Sequence, residues 1–293
     1  MDWDRTINIF IVAFVILNLF FVFKLWLLPA FFDPSIYLSQ DQIDATIEDL
    51  KNSNITVTTP VPDRLRRLQL LSVKRVIPSE ELVAAALLGE GYERVASGAK
   101  TEYRSAQGKV DIYVDGRIYY ISAAQALNGD ITMDAARRHA DHFLAATFGK
   151  PQDARAGRTA ARQDGTWAIE YIQRWRRKDL EISRVVVIVD KSGRVLEMEY
   201  YWVEIIGFSG ESILSIPATA ALSVAAKGMP PGTIISRIYI SWYGMPALAN
   251  QWQSVPVWVL ETAAGGRYFI NAHTGELEGA DYFPEGKRTP ALN

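Results

Sequence analysis

The longest apolar stretch lies at the start of the chain. From Ile7 to Leu28 only Asn8, Asn18 and Lys24 interrupt it. As a helix its roughly 22 residues span about 33 Å, enough to cross a hydrocarbon core of about 30 Å. Lys24 lies one turn from the end and can snorkel to the interface. Trp3 and Trp26 flank the run as interfacial aromatics do. Pro29 and then Asp33-Pro34 stop the helix. A cleaved signal peptide needs a shorter apolar core and a small-residue cleavage site, and Leu27-Leu28-Pro29-Ala30-Phe31 is a poor one. The pattern predicts an uncleaved signal anchor: a stub at 1–6, a span at 7–28 and a juxtamembrane linker at 29–38.

Beyond the linker the period shifts between helix and strand. Ser39 can cap a helix to Leu50, with Ile43, Ile47 and Leu50 on one face. Ile55 and Val57 before Pro60 and Pro62 read as a short strand and a turn. Leu65, Leu68, Leu70 and Val73 read as a second strand. Ser79-Glu80-Glu81-Leu82 opens a helix to Leu88, ended by Gly89 and Gly91. Val110 to Ala123 forms a hairpin around Asp115-Gly116.

A second unit begins at Thr132, an N-cap, with a helix to about Phe148 that closes at Gly149. Strands follow at Thr166–Trp175, Leu180–Asp190 and Val195–Ile206, and Gly207-Phe208-Ser209-Gly210 reads as a loop. A third unit repeats the order. Ile216-Pro217 opens a helix to Gly228, and strands follow at Ile234–Trp242, Val255–Thr262 and Arg267–Ala272. Ala264-Gly265-Gly266 and His273-Thr274-Gly275-Glu276 are its turns. The expected fold is α+β, a membrane helix followed by repeated helix-plus-antiparallel-meander units at 39–128, 129–210 and 211–293.

Composition narrows the function. The 293 residues are 49% hydrophobic and 22% charged, with a net charge of -2 and no cysteine. A nucleic-acid binder would show a basic excess. Disulfide scaffolds, cysteine-ligated metals and thiol catalysis are excluded. The absence of cysteine fits an exported bacterial domain.

No catalytic constellation emerges. His139 and His142 are three apart on one helix, a spacing two metal ligands can use, but no further ligand motif follows. His139 falls on the margin of the apolar face and His142 on the solvent side. His273 belongs to a turn. Glu197 and Glu199 share one face of a strand whose other face carries Met198, Tyr200 and Trp202, so two solvated carboxylates are the simpler reading. GxSxG, SxxK, HExxH and phosphate-binding glycine loops are absent. No cofactor, metal or enzymatic activity is expected.

Two basic runs stand out, Arg64-Leu65-Arg66-Arg67 and Arg174-Trp175-Arg176-Arg177-Lys178. Each can meet acidic lipid headgroups, wall polymers or an acidic partner surface. The simpler reading is a solvated hairpin tip. Trp167, Tyr171, Trp202, Trp242 and Trp258 read as core, with an exposed subset of aromatics expected at a partner interface.

Two stretches carry a resemblance. Met1-Asp2-Trp3-Asp4-Arg5-Thr6, leading into Ile9-Phe10-Ile11 and Leu17-Asn18, resembles the start of the YycI proteins of Gram-positive bacteria. Val255-Pro256-Val257-Trp258 with Gly265-Gly266-Arg267-Tyr268-Phe269-Ile270-Asn271-Ala272-His273-Thr274-Gly275-Glu276 resembles the closing hairpin of PepSY-like modules. The resemblance implies a non-catalytic regulator in the cell membrane, with its N-terminus cytoplasmic and its C-terminal domain outside. It implies a YycH-type homologous subunit and a WalK-type sensor histidine kinase of cell-wall homeostasis as partners, in a homo- or hetero-dimer. Charge sets orientation only weakly, because Arg5 is offset by Asp2 and Asp4 while Lys24 lies on the other side. Candidate partner contacts are Phe14, Asn18 and Val22 in the span, and Trp202, Arg174, Arg176 and Arg177 outside it. For Asn18 two readings stand, an interhelical contact or a tolerated polar residue. A PepSY-like exterior module that inhibits or tethers a protease or wall ligand is the alternative function.

Overall fold

The computed structural model describes residues 3–27, 37–147, 149–284 and 289–290. The expected helix stop at Pro29 and Asp33-Pro34, most of the linker at 29–38, and Phe148 lie outside them. Helix α1 (Trp3–Val22) continues as a π-helical turn over Phe23–Leu27. Its stretch Ile7–Leu25 is long and apolar enough to cross a membrane, and all of it is exposed. Phe14, Asn18 and Val22 lie four apart and so share one face.

Helix α2 (Gln40–Asn52) starts at Ser39, whose hydroxyl accepts from the Gln42 amide while the Gln42 side chain accepts from the Ser39 amide. That reciprocal box satisfies two otherwise orphaned donors. Strands β1 (Thr56–Val57) and β2 (Arg67–Arg75) follow. Helix α3 (Glu80–Leu88), capped by Ser79, precedes β3 (Glu93–Ser97), β4 (Lys100–Ser105), β5 (Gly108–Tyr113) and β6 (Ile118–Ser122). Helix α4 (Met133–Ala146), capped by Thr132, precedes β7 (Ala154–Ala161), β8 (Trp167–Trp175), β9 (Lys178–Val189) and β10 (Val195–Tyr201). After β11 (Val203–Leu214), helix α5 (Ala218–Ala226) precedes β12 (Ile234–Tyr243), β13 (Gln251–Thr262), β14 (Gly266–Asn271) and β15 (Leu277–Tyr282), with β16 (Thr289–Pro290) beside β15. A helix followed by four antiparallel strands thus occurs at three positions.

The first two meanders share one antiparallel sheet in the order β7-β8-β9-β10-β6-β5-β4-β3. Their last strands, β6 and β10, join them, with Tyr120 opposite Met198. Helices α3 and α4 close over this sheet: Val83, Leu87, Ala136, Ala140 and Leu144 share a core with Tyr103, Val187 and Met198. The third meander has its own core, where Ala221 and Leu222 of α5 meet Trp258 and Tyr268. Leu50, Ile55 and Leu68 belong to that core too, and β1 runs parallel to β12. Residues 40–68 therefore pack with the C-terminal meander, while 80–122 pack with α4; Leu71 and Val73 of β2 join a separate cluster with Leu180, Ile182, Tyr201 and Trp242. Strand β2 bridges β11 and the start of β13, and β9 reaches β12 at the single pairing Glu181–Tyr243.

Two expectations are corrected. The strand read as Val195–Ile206 breaks at Trp202, where the chain leaves β10 and β11 takes β2 as its new partner. Gly207-Phe208-Ser209-Gly210 is not a loop. It lies inside β11, with Phe208 opposite Leu71. The register shifts between Ile205 and Gly207, where Gly207 has φ 150°, so the glycine serves a β-bulge within a paired strand.

Candidate functional site

The two basic runs, more than a hundred positions apart in sequence, meet at one cavity of about 410 Å³ between the β8–β9 hairpin tip and β12. Arg66 enters from the segment before β2, Arg155 from β7, and Arg174, Arg177 and Lys178 from the hairpin. Arg237 comes from β12. The single carboxylate among the described lining residues, Asp179, is already held: Arg155 grips both of its oxygens and Arg174 lies 3.7 Å away. Arg237 pairs with Glu261 at 3.7 Å and stacks on Tyr239 at 4.3 Å. Arg66, Arg177 and Lys178 have no carboxylate partner among the described residues. Lys178 sits over the Trp242 ring at 4.8 Å. Burial, and then the charge of Arg66, lowers its ammonium below the usual lysine range.

The hairpin tip is unusual in its backbone. Trp175 and Lys178 are register partners, so Arg176 and Arg177 form a two-residue turn. Both have positive φ, 46° and 65°. Such a turn favours Asn-Gly, because a left-handed backbone crowds the Cβ of most residues. Arg176 is pinned over Trp175 at 4.5 Å, with Phe208 behind it at 5.7 Å.

Behind the cavity lies a buried ion-pair network joining the second meander to the third. Arg158 (β7) donates to Glu170 (β8) and to Asp281 (β15), both at 2.7 Å. Arg184 (β9) reaches the same two carboxylates at 3.3 Å. Arg267 (β14) lies 3.2 Å from Glu181 and 3.5 Å from Glu170. The Tyr239 hydroxyl donates to Glu181 at 2.9 Å. Glu170, Glu181 and Asp281 are fully buried. Burial alone would raise the Glu170 carboxyl, but Arg158, then Arg267 and Arg184, hold it well below the usual carboxylate range.

The remaining candidates fall as follows. Trp202 is a correction: at 6% exposure it belongs to the core, and its indole donates to Asp153 at 3.1 Å. The alternation that put it on an apolar face placed that face inward, so it presents nothing to a partner. Arg174, Arg176 and Arg177 are exposed at the hairpin tip. Of the first basic run, Arg64 faces the Tyr37 ring at 5.7 Å, Arg67 donates to the Ser212 carbonyl at 3.3 Å, and Arg66 alone lines the cavity. In α1 the Asn18 amide donates to the Phe14 carbonyl at 2.7 Å. His139 and His142 are exposed, and His139 lies against the turn at Gly193. No group of three or more His, Cys, Asp or Glu suited to a metal occurs among the described residues.

Sequence reasoning missed Arg155, Arg237 and the whole network. A signal was present: Glu170, Glu181, Arg184 and Arg267 interrupt otherwise apolar strands at positions that strand geometry buries.

No protein-family model matches the chain, and no curated protein matches it in sequence. Among solved structures it is similar to the C-terminal domain of YpeB from Bacillus megaterium, at 13% identity and a TM-score of 0.40, covering 71% of this chain and 98% of that one. It is also similar to an uncharacterized protein from Eubacterium rectale, at 10% identity and a TM-score of 0.45, covering 85% of this chain and 99% of that one.

Proposed function

We propose that this chain is a non-catalytic regulatory protein of the cell membrane, with a cytoplasmic N-terminus and its folded domain outside. On this reading it modulates a WalK-type sensor histidine kinase of cell-wall homeostasis together with a YycH-type subunit. The observation that carries it is α1: a fully exposed apolar helix that presents Phe14, Asn18 and Val22 on one face. Asn18 satisfies one N–H within its own helix, which lowers its cost in hydrocarbon. Its carbonyl oxygen and second N–H remain for a neighbouring helix. A switch of this kind needs differential contact with the partner's two states, and a face with one directional polar group supplies it. The partners proposed are those that the YycI-like start of the chain implies. Replacing residues 7–28 by an unrelated span tests the reading. Kinase output should lose its regulation, and unchanged output would sink the transmembrane part.

A second reading is a PepSY-like module that inhibits or tethers an exterior protease or wall ligand. The helix-then-four-strand order at three positions favours it. Pull-down with the detergent-solubilised chain separates the two: kinase-system partners support the first reading, a protease or glycan the second.

A further inference from the structure

We propose that the cavity between the β8–β9 hairpin tip and β12 binds a phosphate ester, with Arg66, Arg177 and Lys178 as its charge contacts. The inference goes beyond the regulatory reading and does not depend on which partner the span meets.

Charge is the first argument. Among the described residues six cationic side chains line the cavity against one carboxylate, and that carboxylate is held by Arg155 and Arg174. Arg66, Arg177 and Lys178 are left to repel one another across a shared space. Cations gathered without counter-charge are unfavourable unless an anion joins them.

The second argument is the turn. Arg176 and Arg177 occupy the two left-handed positions of a tight hairpin, with φ 46° and 65°, where a Cβ is crowded. Strain kept at a named position points to use. Stacking of Arg176 on Trp175 and Phe208 fixes the tip, and Arg177 is left lining the cavity.

Shape selects the anion. The uncompensated cations approach from separate segments, one before β2 and two on the hairpin. A carboxylate offers two oxygens in one plane to one guanidinium fork. A phosphate monoester offers three terminal oxygens and close to two charges, and so can satisfy donors converging from several directions. Pro62, Ile238 and Ile240 give the cavity an apolar wall for the organic part of the ester. Its volume falls in the range of small-molecule sites, roughly 300–1,000 Å³. The ester can be a soluble metabolite or a phospholipid headgroup from the adjacent membrane.

The test uses the full chain in an uncharged detergent, titrated with glycerol 3-phosphate and followed by calorimetry. Saturable binding is expected, weakened roughly tenfold by Arg66→Gln, as loss of one charge-assisted contact implies. The double variant Arg176→Asn/Arg177→Gly is the decisive one. It relieves the turn, so it should melt at a higher temperature than the parent while binding at least tenfold more weakly. Reconstitution in nanodiscs of phosphatidylcholine, with and without phosphatidic acid, separates the two sources. Competition by phosphatidic acid identifies the headgroup; undisturbed binding identifies a soluble ester. No saturable binding of either phosphate overturns the proposal. So does parental affinity in both variants, or equal affinity for citrate.

Discussion

Arg158 and Asp281 stand 123 positions apart in the chain and meet at 2.7 Å in the protein interior. The first belongs to the second meander and the second to the last strand of the third, so their pairing fixes how the two meanders dock. Only one backbone pairing, Glu181 with Tyr243, joins β9 to β12. Side-chain charges therefore carry much of the registration across this seam. Apolar contact would tolerate sliding. A guanidinium shared between Glu170 and Asp281 does not, because each displacement leaves a buried charge unpaired.

Asp281→Asn should accordingly be costly. It removes one carboxylate charge facing both Arg158 and Arg184 while conserving volume. Breaking a buried pair from one side typically costs about 3–5 kcal/mol. Urea unfolding should show a midpoint shift of that size with an unchanged slope. A shift below about 1 kcal/mol would mean that the network does not register the seam.

The same network sets an acid limit. The folded-state carboxyl of Glu170 is depressed below its unfolded value, so its contribution is present above the unfolded value of about 4.3 and is lost as pH falls through that point and below. The melting temperature of the parent should decline steeply below about pH 4. Glu170→Gln starts lower but should show a shallower decline, because glutamine does not titrate. Parallel curves for the two proteins would reject this assignment.

Much of the framework was legible in the residues. Ser39, Ser79 and Thr132 each cap the helix expected of them, because a short polar side chain before an apolar period has few other uses. The turn at Asp115-Gly116 and the helix behind Pro217 were readable for similar local reasons. Strands β3, β4, β7 and β15 were not. Strand β3 is exposed along its whole length, and β7 carries small and charged residues with no large apolar side chain, so neither shows a two-residue period. The cavity was half legible. Both basic runs stand out, but their meeting depends on β8–β9 and β12 becoming neighbours, which is tertiary information. Strand burial in turn decided Trp202, whose alternation marked an apolar face without saying what would cover it.

Trp202 offers a third test. Its ring lies in the core shared by α3 and α4, and its indole N–H meets Asp153, which also accepts from Gln173 at 2.7 Å. Trp202→Phe keeps most of the packing and should cost about 1 kcal/mol for the lost hydrogen bond. Trp202→Ala opens a cavity and should cost about 3–5 kcal/mol. Chemical denaturation measures both. Near-neutral values for both variants would contradict a packed, hydrogen-bonded tryptophan at this position.

Asn18 is the sharpest test of the span. Asn18→Leu removes the polar group and strengthens insertion, so a simple tether would be unharmed. If the amide contacts a neighbouring helix, the substitution should weaken association by about 1 kcal/mol, or roughly fivefold, the scale of interhelical polar contacts in membranes. Asn18→Gln keeps an amide but extends it by one methylene, and should retain part of the contact. Phe14→Ala and Val22→Ala flank the amide on the same face and should weaken association in step with it. Substitution of Phe10, which the helical period places beside Phe14 at i-4, extends the map along that stripe, while Ile16 on another face should have no effect. Co-purification from membranes, quantified across the series, reads the pattern directly. Losses confined to the 10–14–18–22 stripe identify a docking face. Equal recovery of partner with every variant reduces α1 to an anchor.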